Sequence, residues 1–186
     1  NNLWDIFLWQ RGMPGLKRIS MTAAGSERNQ GDESSSRVVW PSISGDGNNI
    51  VFATTSSNIV SGDNNGLQDI FLYNIPAGSI KKVSTANGNV ESDGDSPIGQ
   101  GERIGISYDG TWITYNTNAT NMGVPKGNIV KQNTETGEII PVTKITAGST
   151  ARPMISREGN FVLAGCSEKY DSRFSSSGIF VIYTGK

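Results

Sequence analysis

Three times along this chain the same hairpin signal returns. I-S-G-D-G-N-N-I-V-F, ending at Phe52, is followed by I-S-Y-D-G-T-W-I-T-Y, ending at Tyr115, and by I-S-R-E-G-N-F-V-L-A, ending at Ala164. In each, a strand ends on Ser, an Asp-Gly or Glu-Gly pair makes a tight turn, and a second apolar strand returns. The copies lie 63 and 49 positions apart, measured from Asp46 to Asp109 and from Asp109 to Glu158, so the turns are kept while the intervening loops vary. One repeated unit of this size cannot hide its own apolar faces, so the units must stack on one another.

A second motif recurs out of step with the first. N-N-L-W-D-I-F-L-W, from Asn1 to Trp9, matches N-G-L-Q-D-I-F-L-Y, from Asn65 to Tyr73, at a spacing of 64. Both are apolar on consecutive residues, the pattern of a strand covered on both faces. Each is followed by a turn and a more polar strand, R-G-M-P-G-L-K-R-I-S to Ser20 and N-I-P-A-G-S-I-K-K-V-S to Ser84. The order continues with G-N-I-V-K-Q-N-T-E-T-G-E-I-I-P-V-T, from Gly127 to Thr143, and ends with S-G-I-F-V-I-Y, from Ser177 to Tyr183. A full unit therefore has four strands, a to d. The chain reads as one repetitive domain: strands c and d in 1–20, complete units in 37–84 and 103–144, and strands a, b and c in 151–184. Polar loops, 21–36 and 85–102, separate the units.

Composition narrows the chemistry. Gly is high at 23 of 186 residues, and no stretch has amphipathic helical periodicity, so the class is all-β. With 16 basic and 17 acidic residues the net charge is -1, too weak a field for nucleic acid or an anionic membrane. The absence of histidine removes Ser-His-Asp, Cys-His and His-zinc chemistry. The single cysteine, Cys166, lies in the apolar run F-V-L-A-G-C and reads as a buried, inert thiol. No apolar run approaches the ~20 residues that span a bilayer as a helix. The chain opens on Asn1-Asn2 without an initiator Met or signal peptide, as though processed or cut from something longer.

These residues resemble the TolB-type, WD-like β-propeller repeats of bacterial envelope and secreted proteins. Pro41, Ser44, Asp46, Gly47, Phe52, Asp69, Ile70, Phe71, Val83 and Ser84 fit that pattern closely. The later units fit in part, with Glu158 where Asp is usual and Asn128 where strand c normally begins with Asp. The resemblance implies tandem four-stranded antiparallel blades, about three to four of them, stacked around a channel. It also implies a periplasmic or extracellular location. A β-sandwich is the other architecture that short strands with Gly-rich turns allow. The sialidase Asp-box is a lookalike of S-Y-D-G-T-W, Ser107 to Trp112, which lacks its residue between Asp and Gly.

The best site candidate is D-N-N-G-L-Q-D, from Asp63 to Asp69. Asp63, Asn65 and Asp69 place oxygens around a Gly as calcium loops do, without a closing bidentate Glu. The alternative is that they hydrogen-bond the loop's own backbone. Glu91, Asp93 and Asp95 could pair as acid and base for glycoside hydrolysis, or form a solvated acidic loop. Trp4, Trp9, Trp40, Trp112, Tyr73 and Tyr115 could line a sugar or peptide surface, although their strand positions favour packing between blades. Lys17-Arg18 and Lys81-Lys82 occupy equivalent places in strand d, where charges guard an edge against pairing.

The functional expectation is a non-catalytic binding or scaffold module whose loops contact a protein or glycan. The opposing expectation is the propeller module of a secreted or envelope hydrolase, either a glycoside hydrolase or peptidase-associated, any peptidase triad lying elsewhere in a longer chain. Strands c and d at one end and a, b and c at the other cannot combine into one ordinary blade. The chain is therefore expected to be a fragment of a larger propeller or an oligomer in which a second copy covers the end faces.

Overall fold

The computed structural model describes residues 3–29, 39–98, 102–145, 150–166 and 178–185. In chain order the strands are β1 Phe7–Leu8, β2 Lys17–Arg18, β3 Val39–Ile43, β4 Asn49–Thr54, β5 Asp69–Asn74 and β6 Ser79–Lys82. Then come β7 Thr85–Ala86, β8 Val90–Glu91, β9 Gly105–Ile106, β10 Trp112–Thr117 and β11 Asn128–Asn133. The last four are β12 Ile139–Pro141, β13 Thr150–Ile155, β14 Phe161–Cys166 and β15 Gly178–Tyr183. They form antiparallel sheets in meander order: β1-β2 (sheet 1), β3-β4-β5-β6 (sheet 2), β9-β10-β11-β12 (sheet 3) and β13-β14-β15 (sheet 4). The small β7–β8 hairpin, bridged by a 3-10 turn at Asn87–Asn89, lies in what the sequence presented as a polar loop.

The three Ser-x-(Asp/Glu)-Gly segments take equivalent places, each joining the first strand of a sheet to the second. At the first turn Ser44 Oγ donates to Asp46 Oδ1 (2.5 Å) and accepts from Asn49 N–H (2.9 Å), while Asp46 Oδ1 also accepts from Asn48 N–H (3.0 Å). The second turn repeats this with Ser107, Asp109, Thr111 and Trp112 at 2.7 to 3.0 Å. In the third, Ser156 Oγ still accepts from Phe161 N–H (3.0 Å), but the longer Glu158 turns outward to Arg157. Gly47, Gly110 and Gly159 all have φ of 74° to 76°, which is why glycine stands at that place in every copy.

Proline finds its tolerated site in the same repeat. Pro41 and Pro153 each fall at the register shift of the first strand, between Val39 and Ser42 and between Ala151 and Met154. A bulge there leaves no ladder position for the missing N–H.

The sheets stack through three apolar layers. Ile6 and Ile19 of sheet 1 and its following residue meet Ile50, Phe52, Phe71 and Tyr73 of sheet 2. On the opposite face, Val51, Ala53, Ile70 and Leu72 meet Ile113, Tyr115 and Val130 of sheet 3. Ile129 and Val142 then meet Val162 and Ala164 of sheet 4. Alternate residues of a strand serve opposite layers, so β4 and β5 are buried along nearly their whole length. Such strands, apolar on consecutive residues, are those of stacked sheets with a layer on either side. The tight turns lie at one end of the stack and the longer loops, including 55–68 and 118–127, at the other.

Candidate functional site

The loop end of sheet 2 collects the charged residues singled out in the sequence. Asp69 opens β5 and is fully buried. Its Oδ1 accepts from Ser84 Oγ (2.6 Å), while Ser84 Oγ accepts from Ile70 N–H (2.9 Å), closing strand c onto the end of strand d. From β6, Lys82 Nζ reaches Asp69 Oδ2 and Asp63 Oδ1, both at 3.4 Å, and Glu91 Oε1 at 2.8 Å. An ammonium thus stands among the carboxylates where the sequence reading offered a place to calcium. Asn65 turns its amide nitrogen to Asp69 Oδ2 (3.1 Å) and Ser92 O (3.2 Å), and its Oδ1 accepts from Leu67 N–H (3.0 Å) as an Asx-turn. Among the described residues no group of three or more Asp, Glu or Cys is arranged to hold a metal ion.

One ammonium among three carboxylates fixes the electrostatics. Burial pushes the Asp63 carboxyl up, reinforced by the neighbouring Asp69 charge, and Lys82 only partly offsets this. Burial likewise raises Asp69, against the hydrogen bond from Ser84 and the attraction of Lys82. Glu91, nearer solvent, is lowered by its hydrogen bond to Lys82. Burial works against the Lys82 charge, but Glu91, Asp69 and Asp63 together hold it above the usual lysine range.

A related arrangement is built into sheets 1 and 3 with different charges. In sheet 1, Ser20 Oγ donates to Asp5 Oδ1 (2.7 Å), Ile6 N–H donates to Ser20 Oγ (3.0 Å), and Arg18 takes the place of Lys82, pairing with Asp5 (3.3 Å) and with Glu27. In sheet 3 the neutral Asn128 replaces Asp, Thr143 Oγ1 replaces the serine hydroxyl, and Pro141 stands at the basic position. Asn128 needs no counter-ion because it carries no charge. It binds Pro125 O and Ile145 O through its amide nitrogen, and its Oδ1 accepts from Ile145 N–H. A neutral Asn128 thus goes with a neutral residue at position 141, as an aspartate goes with a base in sheets 1 and 2. Strands β2 and β6 are edge strands, where the paired bases were expected, and their bases also have partners. Beside the ion pairs of Arg18 and Lys82, the exposed Lys81 Nζ donates to Thr134 O (2.7 Å) and the exposed Lys17 sits over the Tyr73 ring.

Asp93 is exposed and Glu91 and Asp95 are half-buried, so the acidic loop does meet solvent, but its carboxylates are engaged. Each ties the segment after sheet 2 to a neighbouring loop. Glu91 accepts from Asn64 N–H (2.9 Å), Asp95 Oδ1 from Gln68 N–H (2.9 Å), and Asp93 Oδ1 from the N–H groups of Thr120 (2.6 Å) and Asn121 (3.2 Å). The Thr120 hydroxyl and these N–H donors hold Asp93 below the usual carboxylate range.

Sequence comparisons place the chain in no family, since neither a family model nor a curated protein matches. Solved structures do match. TolB from Acinetobacter baumannii aligns with a TM-score of 0.53 and 15% identity over 97% of this chain and 35% of its own. A TolB-like protein of Agrobacterium tumefaciens aligns at 0.54 and 15%, over 98% of this chain and 58% of its own. An oligogalacturonate lyase of Vibrio parahaemolyticus aligns at 0.54 and 12%, over 91% and 39%. The chain has the TolB-type β-propeller fold. It spans between about a third and somewhat over half the length of these structures.

As blades of a propeller, the sheets also touch through their turns. Asp46 N–H donates to Tyr108 O (2.9 Å), and one blade on, Tyr108 N–H donates to Arg157 O (3.0 Å). The Arg157 guanidinium lies 3.5 Å from the Tyr108 ring centroid, and Asn49 and Trp112 lie against Gly110 and Gly159 of the next blade. Of the aromatic residues named above, Tyr73 and Tyr115 are buried between blades, and burial pushes the Tyr115 phenol up as it bonds Gln132. Trp112 covers the Lys131 ammonium at 4.2 Å, whereas Trp4 and Trp9 are exposed. The Trp40 side chain lies outside the described residues. Cys166 is buried, and burial raises its thiol. Sequence reasoning missed Lys131, a buried lysine that donates to Gly159 O (2.9 Å) and Gly185 O (3.0 Å) across the blade junction. Only a charge inside an apolar c-strand hinted at it.

Proposed function

We propose that this chain is a non-catalytic binding or scaffold module whose loop-end surface contacts a protein or glycan in the periplasm or outside the cell. The observation that supports this reading is that the carboxylates open to a catalytic interpretation are engaged in holding loops. Asp93 and Asp95 accept backbone N–H groups from loops 120–121 and 68, and Glu91 accepts from Lys82 and Asn64. A carboxylate fixed by such donors is committed to its own loop and is poorly placed to cycle a proton. The same bonds stiffen the loop end, and a pre-ordered surface loses less entropy when it binds. The proposed location rests on the resemblance of the repeats to those of bacterial envelope and secreted proteins, and the TolB-type fold is in keeping with it.

The test is a joint screen of binding and turnover, with immobilised glycans and envelope proteins on one side and glycosides, peptides and oligogalacturonate on the other. Binding without turnover is the expected result. Hydrolysis or elimination that disappears in Asp93→Asn or Asp95→Asn would replace this reading with that of an enzyme module. Cell fractionation tests the location.

A further inference from the structure

The dipeptide Asn-Gly occurs twice in this chain, at Asn65-Gly66 and at Asn87-Gly88. Asparagine is among the thermolabile residues. A following glycine has no Cβ to shield its amide nitrogen, so the asparagine side chain is open to attack by its own backbone. The fold treats the two copies in opposite ways. Asn65 is half-buried and held through its whole amide: Nδ2 donates to Asp69 Oδ2 (3.1 Å) and Ser92 O (3.2 Å), and Oδ1 accepts from Leu67 N–H (3.0 Å). Its side-chain carbonyl carbon cannot swing onto the Gly66 nitrogen until these bonds open. Asn87 begins the three-residue turn Asn87–Asn89 at the tip of the β7–β8 hairpin, where all three residues are exposed. Among the described residues its side chain has no hydrogen-bond partner. Only two residue pairs, Thr85↔Glu91 and Ala86↔Val90, hold the hairpin below that tip.

We propose that Asn87 is a site of spontaneous, one-way modification to aspartate and isoaspartate in the folded protein, while the network around Asp69 protects Asn65. The Gly88 amide nitrogen, having given its proton to hydroxide, attacks the side-chain carbonyl carbon of Asn87. The new C–N bond closes a five-membered succinimide, the bond to the side-chain nitrogen breaks, and that nitrogen takes a proton and leaves as ammonia. Water then adds to one or other imide carbonyl and opens the ring, giving aspartate or isoaspartate with no change of oxidation state. The product places a carboxylate where a neutral amide stood, adding one negative charge to a chain whose net charge is -1. In the isoaspartate form the main chain also gains a methylene four residues before Glu91, the partner of Lys82 and Asn64. The change therefore falls on the hairpin that carries part of the loop-end network.

The test holds the whole folded chain at mildly alkaline pH, with a parallel sample in concentrated urea, and follows both over time. Circular dichroism verifies that the first sample stays folded. Trypsin cuts after Arg37, Lys81, Lys82 and Arg103, so Asn65 and Asn87 fall in different peptides, 38–81 and 83–103. Fragment-ion mass spectra locate the change from amide to acid, and an isoaspartyl methyltransferase labels the isoaspartate. In urea the two sites should react at similar rates. In the folded chain Asn65 should slow by roughly tenfold or more while Asn87 stays within a few-fold of its urea rate, as expected where hydrogen bonds of ordinary strength must open before attack. Asn87→Ser should remove the change from peptide 83–103. An Asn87 that stays intact in the folded chain overturns the proposal, and so does an Asn65 that reacts as fast folded as in urea. Persistence of the change in Asn87→Ser would also overturn it, by assigning the reaction to Asn89.

Discussion

Lys82 neutralises carboxylates that would otherwise face one another at the buried loop end of sheet 2. Lys82→Met should cost on the order of 3 kcal/mol in urea denaturation, the scale for stranding a buried charge without its partner. Adding Asp69→Asn should recover much of that loss, because sheet 3 already runs the same junction with Asn128 and no cation. A single variant within roughly 0.5 kcal/mol of wild type, the range of an ordinary surface change, would show that the network is not a fastener. Asp63 provides a pH signature. Its folded-state pKa is raised, so it binds a proton more tightly folded than unfolded, and its ionisation destabilises the fold as pH rises through the folded value. Asp63→Asn removes that penalty, so its melting temperature relative to wild type should be more favourable at pH 7 than at pH 4. An equal difference at both pH values would contradict the assignment. Millimolar calcium should leave the wild-type melting temperature unchanged while Lys82 stands among the carboxylates. A rise that Asp69→Ala abolishes would restore the calcium reading of Asp63, Asn65 and Asp69.

At the scale of elements, blade contacts depend on backbones approaching where a side chain would collide. A Cβ on Gly94 would lie 2.4 Å from the Asn118 carbonyl carbon and 2.6 Å from Ala119 N. Neither can move without disturbing the turn that Asp93 holds through Thr120 and Asn121. Gly94→Ala should therefore lower stability by about 1–3 kcal/mol, the usual cost of overpacking. A shift in urea midpoint corresponding to less than roughly 0.5 kcal/mol would mean that the loops separate freely. The hairpin turns follow simpler logic. Ser44, Asp46 and Gly47 specify their turn from within six residues, and so do Ser107, Asp109 and Gly110.

For the whole molecule, stability is distributed along a stack in which each blade contacts only its neighbours. The central strands β4, β5, β10 and β11 are covered on both faces, whereas β15 is exposed on one. Amide hydrogen exchange at low concentration should be slowest in those four strands and faster in β1, β2 and β15. Uniform protection across all four sheets would argue for a single cooperative unit instead.

The sequence by itself determined the all-β class, the four-strand unit, the three equivalent hairpins and the TolB-type repeat, because turn residues and consecutive apolar positions act over a few neighbours. It left the partners of the charged residues unread. Asp63, Asp69, Lys82 and Glu91 are spread over 29 positions and meet only once sheet 2 and the following hairpin are assembled. In the sequence, therefore, Lys82 showed only its edge-strand place and Glu91 only its acidic loop. The substitution of Asn128 for aspartate looked like decay of the repeat until the register placed Pro141 opposite Val130, at the position that Lys82 holds opposite Phe71. Which carboxylate has a cation beside it depends on side chains brought together from different strands and loops. Only the tertiary structure decides that, because electrostatic pairing and burial act through space and leave no local periodicity in the chain.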